Sequence, residues 1–156
     1  MSVSAIEQAR IQAQVLVPLV KALQAELGAP RANALVRRTL GELYRRFGEE
    51  FWRSKADKNL GSVMGSAFAT YARDAALDYD VIEQSDDAYA INVTRCKYAE
   101  FYRELNEPEL GFLFVCSADF DVVDGFDAGV RLTRSQTIMQ GASHCDFRYR
   151  WDKERG

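Results

Sequence analysis

A chain of 156 residues with 47% hydrophobic and 28% charged residues can form one domain around a hydrophobic core and is too apolar to stay disordered. Its net charge of −3 divides into +4 over residues 1–75 (11 Lys/Arg, 7 Asp/Glu) and −7 over the remainder (9 and 16). The basic Arg37, Arg38, Arg45 and Arg46 fall between helix-spaced apolar positions and read as a solvated face, which argues against a nucleic-acid binder.

Ile11, Val15, Leu19, Leu23 and Leu27 recur every four residues, which predicts a first helix. Pro18 either kinks it or opens its main part. Gly28-Ala29-Pro30 ends it and begins a second helix running to about Trp52, with Val36, Leu40, Tyr44, Phe47 and Phe51 on one side. A third helix has Leu60, Met64, Phe68, Tyr71 and Ala75 on its inner face, and its Gly61, Gly65 and Ala67 permit close approach of another backbone. The period then changes to two. Leu77, Tyr79 and Val81, a polar turn at residues 84–87, and Tyr89, Ile91 and Val93 predict a β-hairpin. Short helices are predicted over residues 98–105 and 108–119. Strands follow over residues 130–139 and 145–151, with a turn at residues 140–143. In the first of these strands Leu132, Arg134, Gln136 and Ile138 share a face. The expected fold is α+β in a single domain over residues 1–156: N-terminal helices (1–75) packed on a C-terminal antiparallel sheet of about four strands with short intervening helices (76–151).

Candidate chemistry lies in that second part. Cys116 and Asp119 are three apart on a predicted helix, so thiol and carboxylate can share a pocket. In His144-Cys145-Asp146, strand alternation sends His144 and Asp146 to one face and Cys145 to the other. Cys96 lies at a strand-to-helix boundary, followed by Tyr98 and Glu100. Without a partner nearby, each cysteine is a small buried hydrophobe, and Asp119 and Asp146 are ordinary helix-end and cross-strand carboxylates. No CxxC or HxxxH spacing occurs, and no metal or cofactor is expected. The odd count of cysteines, and the absence of a recognisable secretion signal or membrane-length apolar segment, lead to the expectation of a cytoplasmic protein.

The segments Cys96-Lys-Tyr-Ala-Glu-Phe-Tyr-Arg-Glu-Leu, Pro108-Glu-Leu-Gly, Cys116-Ser-Ala-Asp-Phe, Arg131-Leu-Thr-Arg-Ser-Gln-Thr-Ile and Gly141-Ala-Ser-His-Cys-Asp-Phe-Arg-Tyr together resemble the L-2-amino-thiazoline-4-carboxylic acid hydrolase family over about residues 90–150. The resemblance implies a hydrolase opening a small cyclic amidine or related C–N ring, as in conversion of that thiazoline to N-carbamoyl-L-cysteine. Such a reaction needs a nucleophile at the amidine carbon. Cys145 or Cys116 can supply a thiolate, or a carboxylate can activate water while the cysteines shape the pocket. Asp119 or Asp146 can pair with the amidine N–H groups. Arg131 and Arg134 are the candidates for the substrate carboxylate, with His144 and Cys96 completing the substrate-binding set. The expected partner is a small molecule, with neither nucleic acid nor membrane. Phe47, Phe51 and Trp52 could support a homo-oligomer or form an assembly patch. The late Gly…Cys-Asp-Phe segment is also similar to the 4-vinyl reductase type of ligand-binding domain, whose implication is a binding module without catalysis.

Overall fold

Ser4 starts the first helix, α1 (Ala5–Leu27), through a reciprocal cap. Its Oγ accepts from Glu7 N while the Glu7 carboxylate accepts from Ser4 N. The structure, a computed structural model, describes residues 2–155. Pro18 lies inside α1 without ending it. Gly28, at a φ of 79° that disfavours any side chain, separates α1 from α2 (Ala29–Arg53), which has Pro30 in its first turn. The Ala13, Leu16, Val17 and Val20 side of α1 packs inward, while Ile11, Val15 and Leu19 face solvent. The helix is apolar on both sides, so spacing alone does not say which side packs. Phe47 of α2 is likewise exposed, unlike Val36 on the same predicted side.

Asn59 caps α3 (Leu60–Arg73), whose Leu60, Met64 and Phe68 are buried. Gly61 lets the start of α3 meet the hairpin turn: a Cβ there would lie 2.4 Å from Ser85 O. The sheet contains β1 (Leu77–Gln84), β2 (Ala88–Cys96), β3 (Val130–Thr133) and β4 (Cys145–Trp151), all antiparallel in the order β1-β2-β4-β3. Cys145, Phe147 and Tyr149 alternate onto the inner face of β4. Phe68 lies against that face, 5.5–6.2 Å from the rings of Tyr79, Tyr89, Phe147 and Tyr149. The architecture is the expected α+β, with helices at the N-terminus followed by a four-strand antiparallel sheet.

Between β2 and β3 the chain differs from its predicted course in two places. The helix expected over residues 108–119 is three pieces. These are α5 (Pro108–Gly111), a π-helical turn (Phe112–Cys116) closed by Ser117 N donating to Phe112 O at 2.9 Å, and α6 (Ala118–Asp124), with α4 (Lys97–Glu104) before them. The strand expected over residues 130–139 stops at Thr133. Beyond it the Asp146 carboxylate accepts from Ser135 N (2.9 Å), Ser135 Oγ (2.5 Å) and Gln136 N (3.0 Å). Thr137 then caps a 3-10 turn at Ile138–Gln140. A side chain has taken the amides that a ladder would have used.

Helix α6 is held tightly on α2. A Cβ at Gly48 would fall 1.9 Å from Val122 O, and one at Gly125 2.0 Å from Arg45 O. Trp52 stacks on Phe126 and meets Trp151 edge-on, which ties the C-terminal ends of α2, α6 and β4 together. Arg37 makes a two-toothed ion pair with Asp121. These contacts fix the angle at which α6 presents Asp119 to the inner face of the sheet.

Candidate functional site

Arg134 organises the centre of the candidate site. It follows β3 on the side of Leu132, and its side chain is only 3% exposed. Nη1 donates to Asp119 Oδ2 at 2.6 Å and Nη2 to the backbone carbonyl of Cys116 at 3.0 Å. Its guanidinium lies over the rings of Phe120 and Phe147, 4.9 and 5.1 Å from their centroids. The buried charge is thus matched by one carboxylate, one carbonyl dipole and two aromatic rings, which offsets its desolvation.

Asp119 has the opposite character. Its side chain keeps 37% of its accessibility, yet desolvation by the surrounding protein pushes its carboxyl up to about 6, against the lowering by Arg134 and with a further small rise from Asp121. Asp119 is thus partly accessible and partly enclosed, at a shallow recess distinct from the surface depressions beside Arg37 and Arg131. Oδ2 is held by Arg134. Among the hydrogen bonds of the described residues none uses Oδ1.

The charge of Asp119 acts on three thiols and four phenols from different elements. These are Cys96 at the end of β2, Cys116 in the π turn and Cys145 on β4, then Tyr44 of α2, Tyr71 of α3, Tyr98 of α4 and Tyr149 of β4. For every one of them the main effect is burial, which favours the neutral form, and Asp119 adds to it. The Cys96 thiol is pushed up to about 11. Cys116 is pushed up further despite Arg134. Cys145 is raised despite an N–H from Ile138 to its Sγ at 3.2 Å and the charge of Arg134. All three are therefore thiols at neutral pH, and nothing at the site ionises them. Tyr149 is only 3% exposed. Its hydroxyl has no hydrogen-bond partner among the described residues, yet no sealed side-chain polar atom among them is left unsatisfied. The hydroxyl therefore keeps some accessible surface.

Of the residues singled out from sequence, Cys96, Cys116, Asp119, Arg134 and Cys145 come together. Three do not. Asp146 lies on the outer face of β4, where its three hydrogen bonds clamp residues 135–136. Desolvation would raise its carboxyl, but those bonds outweigh it and hold the group below the ordinary range. His144 is outside too, beside Ser143 Oγ at 2.9 Å, with Gln136 Nε2 donating to its carbonyl. Arg131 is exposed on the face of β3 opposite Leu132, where it lines a surface depression of about 310 Å³ with Asp124, Asp127 and Thr133. A second open depression, of about 450 Å³ between α2 and α6, is lined by Arg37, Arg38, Arg45, Glu42, Asp121 and Asp124. Both hollows are open to solvent and lined by charges of both signs, and neither includes Asp119 or Arg134, so the candidate site stays at Asp119. Of the four tyrosines only Tyr98 is marked in the sequence, as a neighbour of Cys96. Tyr44 and Tyr71 read as ordinary helix-face aromatics, and the period of two that Tyr149 shares with Cys145 is the signal that could have found it. Among the described residues no group of three or more His, Cys, Asp and Glu is placed to hold a metal ion, and no helix is long and apolar enough to cross a membrane.

Comparison with known proteins adds the family and the fold. No curated protein matches the chain. Among solved structures, the phenol-responsive sensory domain of the transcription activator PoxR, solved with phenol, shares the fold. It has a TM-score of 0.50 and 13% identity, over 87% of this chain and 72% of that one. The model of the L-2-amino-thiazoline-4-carboxylic acid hydrolase family matches residues 8–149, a span that includes α2, the π turn and every residue gathered around Asp119, and the chain belongs to that family.

Proposed function

We propose that the recess at Asp119 is the active site of a hydrolase that opens a small cyclic amidine, with Asp119 rather than a thiolate as the group that carries the chemistry. The observation that carries this reading is the state of Asp119: one oxygen fixed by Arg134, the other free, and a carboxyl that changes protonation near pH 6. A base with that affinity accepts a proton from water and returns it to a leaving group within the same turnover. With an amino-thiazoline, an amidine N–H donates to Oδ1 and a water attacks the ring carbon between nitrogen and sulfur. Asp119 takes a proton from that water. The new C–O bond becomes a carbonyl as the ring C–S bond breaks. One water proton ends on the ring nitrogen and the other on the departing sulfur, leaving a carbamoyl group and a free thiol. Arg134 keeps the carboxylate oriented and lowers the cost of its charge. Cys96, Cys116 and Cys145 line the recess as neutral groups.

A second reading, binding without turnover, is favoured by the lining itself, since phenol hydroxyls, thiols and aromatic rings suit a small ring held by a few hydrogen bonds. A sensory domain described as phenol-responsive has a similar fold. Mass detection of ring-opened product from amino-thiazolines separates the two. Product formed by the wild type and reduced at least 100-fold in Asp119→Asn supports hydrolysis. Tight binding with no product from the wild type supports a binding module and removes the enzyme reading.

A further inference from the structure

We infer that the ligand of this recess is a small ring carrying an N–H or O–H donor and no anionic group, so that the carboxylate of L-2-amino-thiazoline-4-carboxylic acid is not part of what this chain recognises. The inference deepens the reading above and rests on its placement of the site at Asp119.

The argument is one of charge and of free hydrogen-bonding capacity. A substrate carboxylate that leaves water needs a cation or several donors to replace its hydration. Arg134 is the cation at this site among the described residues, and its side chain is only 3% exposed, which leaves an entering anion little of it to reach. Nη1 is on Asp119, Nη2 is on the Cys116 carbonyl, and the rings of Phe120 and Phe147 lie against it. Arg103 is tied to the Ile138 carbonyl, and Arg131 and Arg148 belong to different surfaces. Arg131 points out from the opposite face of β3. Arg148 lies on the outer side of β4 and donates to the Ile91 and Phe147 carbonyls and to Asn92 Oδ1. His144 shares that outer side. The ion pair sums to zero, and the thiols and phenols around it are neutral. An entering anion therefore meets no free positive charge and lies beside the negative Asp119. A donor fares better, because among the described residues no hydrogen bond uses Asp119 Oδ1.

The test pairs 2-amino-2-thiazoline with L-2-amino-thiazoline-4-carboxylic acid. They share the ring and amidine and differ by the carboxylate. Affinities are measured by calorimetry at pH 7.5 on the full chain, with ring-opened product followed by mass in the same samples. The expected result is binding of the decarboxylated ring at least tenfold tighter than of the acid. Equal or tighter binding of the acid overturns the inference, and product formed from it would leave the hydrolase reading standing. Failure of both compounds to bind also overturns the inference. Preferential binding of the decarboxylated ring without product supports it while sinking the hydrolase reading. In Asp119→Asn, checked for folding by circular dichroism, the charge of Arg134 is uncompensated and the preference is expected to narrow or reverse. A folded variant with an unchanged preference would contradict the role given to the ion pair.

Discussion

At the level of single residues, two carboxylates illustrate how environment assigns roles. Asp119 and Asp146 look alike in the sequence, each near a cysteine. The fold gives Asp146 three donors on an outer face and gives Asp119 one buried guanidinium, one free oxygen and a desolvated recess. Asp146→Ala is expected to cost about 1–3 kcal/mol through the orphaned amides of residues 135–136. Chemical unfolding reads that loss, and a stability equal to wild type would show that the clamp is dispensable. The sign of pH dependence also differs between the two. Folded Asp119 binds its proton more tightly than an unfolded aspartate. Its contribution to stability is therefore full below about pH 3.8 and is lost as pH rises through about 6. Asp146 is depressed, so its contribution is present above the ordinary aspartate range and is lost as pH falls through its lower folded value. Unfolding curves from pH 4 to pH 7 should lose the first dependence in Asp119→Asn and keep it in Asp146→Asn. The thiols give a third residue-scale expectation. Cys116→Ala and Cys145→Ala should each keep turnover within about tenfold of wild type, because neither thiol ionises at neutral pH.

At the level of elements, the pairing of α2 with α6 positions the site. Gly48 and Gly125 allow backbone contact that a methyl group would block. Gly48→Ala is expected to cost about 1–3 kcal/mol by overpacking and to lower turnover by displacing α6 and with it Asp119. Thermal unfolding alongside kcat/KM checks both, and native stability in the Gly48→Ala protein would mean that the helices separate at little cost. The elements also show what periodicity can and cannot reveal. Tyr89, Ile91 and Val93 in β2 are buried as their alternation suggests, and in β4 Cys145 is separated from His144 and Asp146 as expected, because a sheet with one face on a core writes its period into the chain. β3 read six residues too long, to 139 instead of Thr133. Leu132, Arg134, Gln136 and Ile138 alternate like a strand, but a long-range clamp by Asp146 takes the chain out of the ladder at Ser135. The π turn at Phe112–Cys116 was invisible for a related reason: one extra residue in a helical turn does not disturb an apolar run that is buried on several sides.

At the level of the whole molecule, the order of helices before strands made the α+β fold legible, and the resemblance pointed to the right family. The candidate site was half legible. Cys96, Cys116, Asp119, Arg134 and Cys145 stood out because polar or reactive groups in apolar segments are uncommon. Their convergence depends on how α6 and the end of β3 cross the sheet, which local spacing does not encode. The placement of the tyrosines depends on it too, since Tyr44, Tyr71, Tyr98 and Tyr149 come from four different elements.

The most direct test of the central claim is the pH dependence of kcat/KM for 2-amino-2-thiazoline hydrolysis in the wild type and in Asp119→Asn. The account predicts a wild-type limb that rises with pH through about 6, where Asp119 ionises, and an Asp119→Asn enzyme at least 100-fold slower with that limb gone. An Asp119→Asn enzyme that retains both the rate and the limb would contradict it, as would a limb abolished by Cys116→Ala or Cys145→Ala, since the acid–base group would then lie elsewhere.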